Sequence, residues 1–233
     1  MGVTSCSAGG YLPLPAMADP RPSVSVPRGR HAPPLDVRLG VQRQRLFEAA
    51  AAVFARVGYA EASAEAISRE AGMSKATFYE HFANKEECIL ALFDEAAAQV
   101  THAMAAAGQE RRYASYDEHV AAGVRAFLDT LADHRESAQT LLVEIIGAGP
   151  RAAARRDAIL EAFADGLHRD NARTAPGYGA PTFASADDAF AVIGAAVELV
   201  SRQLRTGSPE TPGALEPVIT RLMLGALDRG RRG

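Results

Sequence analysis

The chain has 233 residues, 48% of them hydrophobic, enough for two modest domains or one large one with a real core. Aromatic residues make up only 6%, tryptophan is absent and alanine runs abound, which favours an all-helical chain. A net charge of −3 excludes a generally basic coat for nucleic acid but not a local DNA-binding face.

Two cysteines, Cys6 and Cys88, supply neither a disulfide framework nor metal-ligand spacing, which suits a reducing cytoplasm. No apolar run approaches the ~20 residues of a membrane span. The N-terminus lacks the charged start and long apolar stretch of an export signal, so a cytoplasmic protein is expected.

Residues 1–36 are rich in Pro, Gly and Ser and read as a disordered tail, within which Met17 is as good a start as Met1. Arg28, Arg30 and His31 close this tail, with Arg38, Arg43 and Arg45 beyond. They are either a basic arm that tracks phosphates or ordinary solvated arginines; Arg43 and Arg45, next to the motif below, fit the first reading better.

From Asp36 to Val57 the residues Leu46, Ala50, Val53, Phe54 and Val57 recur at helical spacing, and Gly58 ends the helix. Residues 63–85, SAEAISREAGMSKATFYEHFANK, then read as two short helices joined by a tight turn. Ser63 caps the first helix, whose inward residues are Ile67 and Ala71. Gly72 in Ala71-Gly72-Met73 is free to take positive φ. Ser74 caps the second helix, and Phe78 and Phe82, four apart, form its inner side. This is a helix-turn-helix, whose second helix enters the major groove of DNA.

At about 100° per residue, Ala76, Thr77 and Glu80 point away from the two phenylalanines, with Tyr79 and His81 on the flanks. A helix seated in a groove has base edges ahead and phosphates on both walls. Base reading therefore falls to Lys75, Ala76, Thr77 and Glu80. Phosphate contacts fall to Ser63, Tyr79, His81, Lys85, Arg43 and Arg45.

This stretch resembles the DNA-binding signature of the tetracycline-repressor (TetR) family of transcriptional regulators. Gly58-Tyr59, Ala71-Gly72, Ser74-Lys75, Thr77, Tyr79, His81-Phe82 and Lys85 all fall in register, over about fifty residues from Arg43 to Leu92. Two threonines common in the family are Ala62 and Ser63 here, and a common glycine is Ala76, so relatives do not supply the operator sequence. The resemblance implies an N-terminal three-helix DNA-binding domain (37–84). It also implies a C-terminal helical bundle (85–233) that binds an inducer and dimerises.

The rest of the chain divides into further helices. Asn84 and Glu87 resemble a capping box opening a long helix to about Ala107, with Ile89, Leu92, Phe93, Ala96, Val100 and Met104 inward. Residues 108–115 break the pattern. Tyr116–Ala132 carries Val120, Val124, Phe127 and Leu131 in line, and Arg135–Ile146 carries Leu141, Leu142, Val143, Ile145 and Ile146. Pro150 opens a helix to about Arg173, the segment 174–184 is a loop, and Ser185 with Asp188 starts a helix to Arg205. Ala214–Asp228 closes the chain. Phe190, Ile193, Val197, Val200 and Leu204, with Val218 and Leu222, form stripes that fit either a buried helix within one subunit or a two-fold four-helix interface. The TetR resemblance favours the homodimer.

No catalytic constellation appears, since Glu86-Glu87 and Asp187-Asp188 sit at helix starts where capping explains them. The expected partners are a double-stranded DNA operator and, by resemblance, an unidentified small-molecule inducer; no metal and no cofactor are expected. Phe127, Leu131, Phe163, Leu167, Tyr178 and Phe183 are candidates for an apolar ligand pocket, with His102, His168 or Asn171 as polar anchors. The expected activity is that of a ligand-responsive repressor, against which stand an enzyme on a helical bundle and a protein–protein adaptor that keeps the helix-turn-helix shape.

Overall fold

A computed structural model describes residues 34–109 and 113–229. The expected tail, with Arg28, Arg30, His31 and Cys6, lies outside the described residues apart from its last three positions. The chain divides into two units, residues 1–39 and 40–233. The first contributes the opening turn of a helix, and the second holds the rest of the described structure.

Every regular element among the described residues is helical. Helix α1 is Leu35–Glu61, interrupted at Gly58, whose φ of 80° and ψ of 159° are open to glycine and costly for other residues. Helices α2 (Ala64–Glu70) and α3 (Lys75–His81) follow. Leu46, Ala50, Val53 and Phe54 of α1, Ile67 of α2 and Phe78 of α3 are buried together. Val57, expected on the same stripe, is exposed instead, one residue before the chain turns off at Gly58.

Helix α4 (Lys85–Gln109) starts four residues after α3 ends and carries the chain into the larger bundle. Its inner residues Ile89, Leu92, Phe93, Ala96 and Val100 are buried, as is Cys88, whose thiol burial pushes up to about 12. Asn84 Oδ1 accepts the N–H of Glu87 at 2.9 Å, half of the expected capping box. The Glu87 carboxylate pairs instead with Arg151, at 2.8 Å.

Helix α5 is Tyr116–Asp133 and α6 is Arg135–Leu142. The expected helix to Ile146 thus stops early. A 3-10 turn over Glu144–Gly147 replaces its end, burying Ile145 and leaving Ile146 exposed. The break has a polar reason. Glu144 accepts the backbone N–H of Tyr59 at 2.9 Å and the side-chain amide of Gln139 at 3.2 Å, tying this turn to the end of α1.

Helix α7 (Pro150–Thr174) begins with its proline at a first-turn position, where no N–H is missed. The expected loop 174–184 opens with a 3-10 turn at Ala175–Tyr178. It is held by Asn171, which accepts the N–H of Phe183 at 2.8 Å and donates to the Tyr116 hydroxyl at 2.8 Å. Helix α8 (Ala186–Thr206) opens on a full capping box of Ser185 and Asp188, and α9 is Glu216–Arg229. Helices α4–α9 enclose the larger part of the core. Among the described residues no helix is long and apolar enough to cross a membrane.

Candidate nucleic-acid interface and cavity

The recognition element is built from short-range chemistry. Ser63 Oγ accepts the N–H of Ala66 at 3.1 Å and Ser74 Oγ that of Thr77 at 3.0 Å, so both caps form as the sequence implies. Between them Gly72 has φ of 64°, and Met73 N–H reaches back to Ser68 O at 2.8 Å. Phe78 is fully buried and Phe82 nearly so, their ring centroids 5.4 Å apart. Phe47 of α1 lies 5.7 Å from Phe82, so α3 is pinned from behind by aromatic packing.

With that side fixed, Lys75, Ala76, Tyr79 and Glu80 are exposed on the outer side of α3. Tyr79 is 51% exposed and its ring stands edge-on to Phe78. Thr77, expected to face the groove, is half-buried, and its hydroxyl lies 2.9 Å from that of Ser74. His81 is also half-buried, its Nε2 3.4 Å from Gln42 Oε1. Burial, then the nearby Arg43 guanidinium, hold its pKa below the ordinary histidine value, while Glu80 opposes them.

Three of the cations expected on phosphates are engaged within the domain. Arg45 donates to Ala71 O at 2.8 Å and braces the turn at Gly72. Arg43 lies over the rings of Phe47 and Phe82, at 4.9 and 5.0 Å. Lys85 donates to the carbonyls of Tyr59 and Ala60, at 2.7 and 3.1 Å, and sits 4.3 Å above the Tyr59 ring. Only the Arg43–Phe47 contact, four apart on α1, is visible in the spacing; Phe82, Ala71, Tyr59 and Ala60 each lie on another element than the cation they meet.

A cavity of about 560 Å³ opens between α4, α5 and α7, with Ile193 of α8 and Met223 of α9 also in its walls. Met104, Val124, Ile159, Phe163 and Leu167 make most of its lining apolar. A smaller, almost wholly apolar space of about 70 Å³ shares several of these residues and adds Phe127 and Arg156. Of the residues expected around a ligand, Phe163, Leu167 and Phe127 line these spaces. Leu131 and Phe183 are buried in the core, and Tyr178 stands behind the wall against Tyr116. His102 is exposed on α4 and His168 lines neither space. The amide of Asn171 is taken up by the loop it holds.

The polar groups that do line the cavity went unread in the sequence. His119 stacks on Tyr116 with centroids 5.7 Å apart and has Nε2 3.3 Å from Asp170 Oδ2. Asp170 also accepts from Arg173, at 2.6 Å. Burial holds the Tyr116 phenol above its ordinary pKa; the Asn171 hydrogen bond works against this and Asp170 adds to it. Away from this group, Arg155 Nε donates to Asp94 Oδ1 at 2.6 Å, linking α7 to α4. The His119–Asp170 and Arg155–Asp94 pairs join helices 51 and 61 residues apart in the chain, so local spacing does not mark them.

The expected dimer stripe splits. Val197, Val200 and Leu204 are buried in the subunit's own core, and Ile193 faces the cavity, so packing within one chain uses them. Phe190 and Leu222 remain 42% exposed each, with Val218 half-buried.

A helix-turn-helix with its reading helix pinned from behind, joined by one long helix to a bundle around a cavity, defines a DNA-binding regulator. Residues 46–92, the helix-turn-helix and the start of α4, match the bacterial regulatory proteins of the tetR family. Among solved structures, the fatty acid degradation regulator FadR from Bacillus halodurans superposes with a TM-score of 0.70 at 21% identity, over 80% of this chain and 96% of that one. FadR from Bacillus subtilis, in complex with stearoyl-CoA, gives 0.68 at 21% identity, over 78% and 98%. NalD from Pseudomonas aeruginosa, secondary repressor of the MexAB-OprM multidrug efflux pump, gives 0.59 at 19% identity, over 82% and 98%. At these identities the likeness is one of fold. Sequence comparison with characterised proteins finds no match.

Proposed function

We propose that the chain is a homodimeric repressor that binds a palindromic operator and is released when a small molecule fills the cavity between α4, α5 and α7. The observation that carries the DNA half is the outer side of α3. Lys75, Ala76, Tyr79 and Glu80 stand free there while Phe78 and Phe82 hold the helix from behind. Lys75 and the Tyr79 hydroxyl suit phosphates, with Ser63 contributing its hydroxyl hydrogen at the start of α2. Ala76 offers only apolar contact, such as to a thymine methyl, and Glu80 accepts from cytosine. The chain works in the cytoplasm, beside its DNA.

Release follows from connectivity. Helix α4 begins four residues after the reading helix and lines the cavity from Asp94 to Gly108. A ligand that prefers one packing of α4 against α7 changes the distance between the reading helices of the two subunits. It shifts the equilibrium only by its differential affinity for the two arrangements. The stearoyl-CoA in the Bacillus subtilis relative supports a chain-like apolar ligand for a cavity of this shape.

The test is to capture genomic fragments on the purified protein, sequence them and footprint the enriched sites. Inverted repeats with half-sites about one helical turn apart, or a multiple of it, are expected, with affinity falling steeply as salt rises. Absence of any salt-sensitive, sequence-selective duplex would overturn the reading and favour the adaptor.

A further inference from the structure

Helix α7 starts at Pro150 and carries three arginines in its first two turns, Arg151, Arg155 and Arg156. Cations at the positive end of a helix dipole are poorly placed unless anions meet them. Arg151 meets Glu86 and Glu87, at 3.0 and 2.8 Å. Arg156, in the wall of the smaller space, pairs among the described residues only with Asp157, at 3.7 Å. Arg155 is in the wall of the larger cavity and meets Asp94, which is in that wall too.

The Arg155–Asp94 contact uses one of five guanidinium donors, the Nε–H; the other four make no hydrogen bond among the described residues. Both side chains are nearly half-exposed, so solvent weakens their attraction and little holds them together. A planar fork with open donors at the end of an apolar slot matches a carboxylate or phosphate oxygen pair.

The slot also has a length. Asp94 and Gly108 both line it, fourteen positions apart on α4, or about 21 Å at the rise of an α-helix. Gly108 lies against His119 at the far polar group, where an added Cβ would come within 3.6 Å of the ring. The walls between are mostly apolar, with Thr101 the polar residue of α4 among them, its hydroxyl already donated to Ala97 O.

We propose that the cavity takes an extended apolar chain with an anionic head, and that Arg155 recognises the head by exchanging Asp94 for it. This rests on reading the cavity as the ligand site. The exchange removes a link between α7 and α4, the helix that continues from the reading element. Asp94 is then a built-in competitor, present when the ligand is absent.

The test uses four probes of one chain length, titrated calorimetrically into the full chain: dodecanoate, dodecanoyl-CoA, dodecanol and dodecylamine. At least one of the two anions is expected to bind about tenfold tighter than dodecanol. Which of them does so separates a free carboxylate from the phosphates of a thioester carrier. Arg155→Gln should erase that preference while leaving dodecanol affinity within about twofold, and Arg155→Lys should restore part of it. Asp94→Asn should tighten anion binding by about threefold, the reverse of what loss of a merely structural contact would do. Thermal melts of each variant confirm the fold. Binding without head-group preference, a preference for dodecylamine, or an Asp94→Asn variant that binds the anion more weakly would each overturn the proposal while leaving the cavity as a ligand site. Failure of all four probes to bind would overturn the chain-like ligand and the proposal together.

Discussion

Tyr79 stands half in solvent on the outer side of α3, with only its ring edge against Phe78. Its hydroxyl makes no hydrogen bond among the described residues, so removing it costs the fold little. Tyr79→Ala is expected to weaken operator binding at least about tenfold, a charge-assisted hydrogen bond being lost from each subunit. Sedimentation should show the oligomer unchanged, and a gel-shift titration with unaltered DNA affinity would refute the contact. His81 gives a sharper test because its pKa is held below the ordinary value by burial and by Arg43. The imidazole is therefore neutral at pH 7 in the free protein. A phosphate beside it would favour the charged form, so binding takes up a proton. Operator affinity should rise as pH falls from about 7.5 to about 6, and His81→Gln should flatten that rise. Stability moves the other way. A histidine with a depressed folded pKa contributes fully above its unfolded pKa, and that contribution is lost as pH falls through the folded value.

At the scale of the element, α3 is seven residues long and too short to stand alone in water. It persists because Phe78 and Phe82 bury their rings and because Ser74 caps its first turn. Phe78→Ala is expected to cost about 3–5 kcal/mol, measured as a lowered urea midpoint. DNA binding should disappear with the fold of α3 rather than with a lost contact. The caps and the phenylalanine spacing are legible in the sequence because they act within one turn of helix. The early end of α6 is not, because its cause is a carboxylate 85 residues from the N–H it accepts.

At the scale of the molecule, α4 joins the reading domain to the bundle, and α7 lies against the first half of α4, with the exposed pairs of Arg151 and Arg155 between them. Movement of α7 therefore acts on the beginning of α4, next to the reading helix. For the dimer, Phe190 and Leu222 are the large apolar side chains still exposed on α8 and α9. If two copies meet through these helices, Phe190→Glu with Leu222→Glu should convert a dimer to a monomer in sedimentation. Operator affinity should collapse with it, since half a palindrome is then read at a time. Val200→Glu is no substitute test, because Val200 is fully buried within its own chain and the change would unfold it.

What local sequence settles is local structure: the caps at Ser63, Ser74 and Ser185, the turn at Gly72, the buried side of α3 and the exposure of Ala76 and Glu80 opposite it. Each follows from interactions within a few residues, where periodicity and side-chain chemistry suffice. Where the charged side chains go depends on the folded arrangement of the helices. Arg45 and Lys85 turn to backbone carbonyls, and Arg43, though exposed, lies over two aromatic rings. His119, rather than His102 or His168, lines the cavity, and Arg155 meets Asp94 across two helices. A long cationic or aromatic side chain reaches whichever partner the fold brings near, and that partner's distance along the chain leaves no local mark.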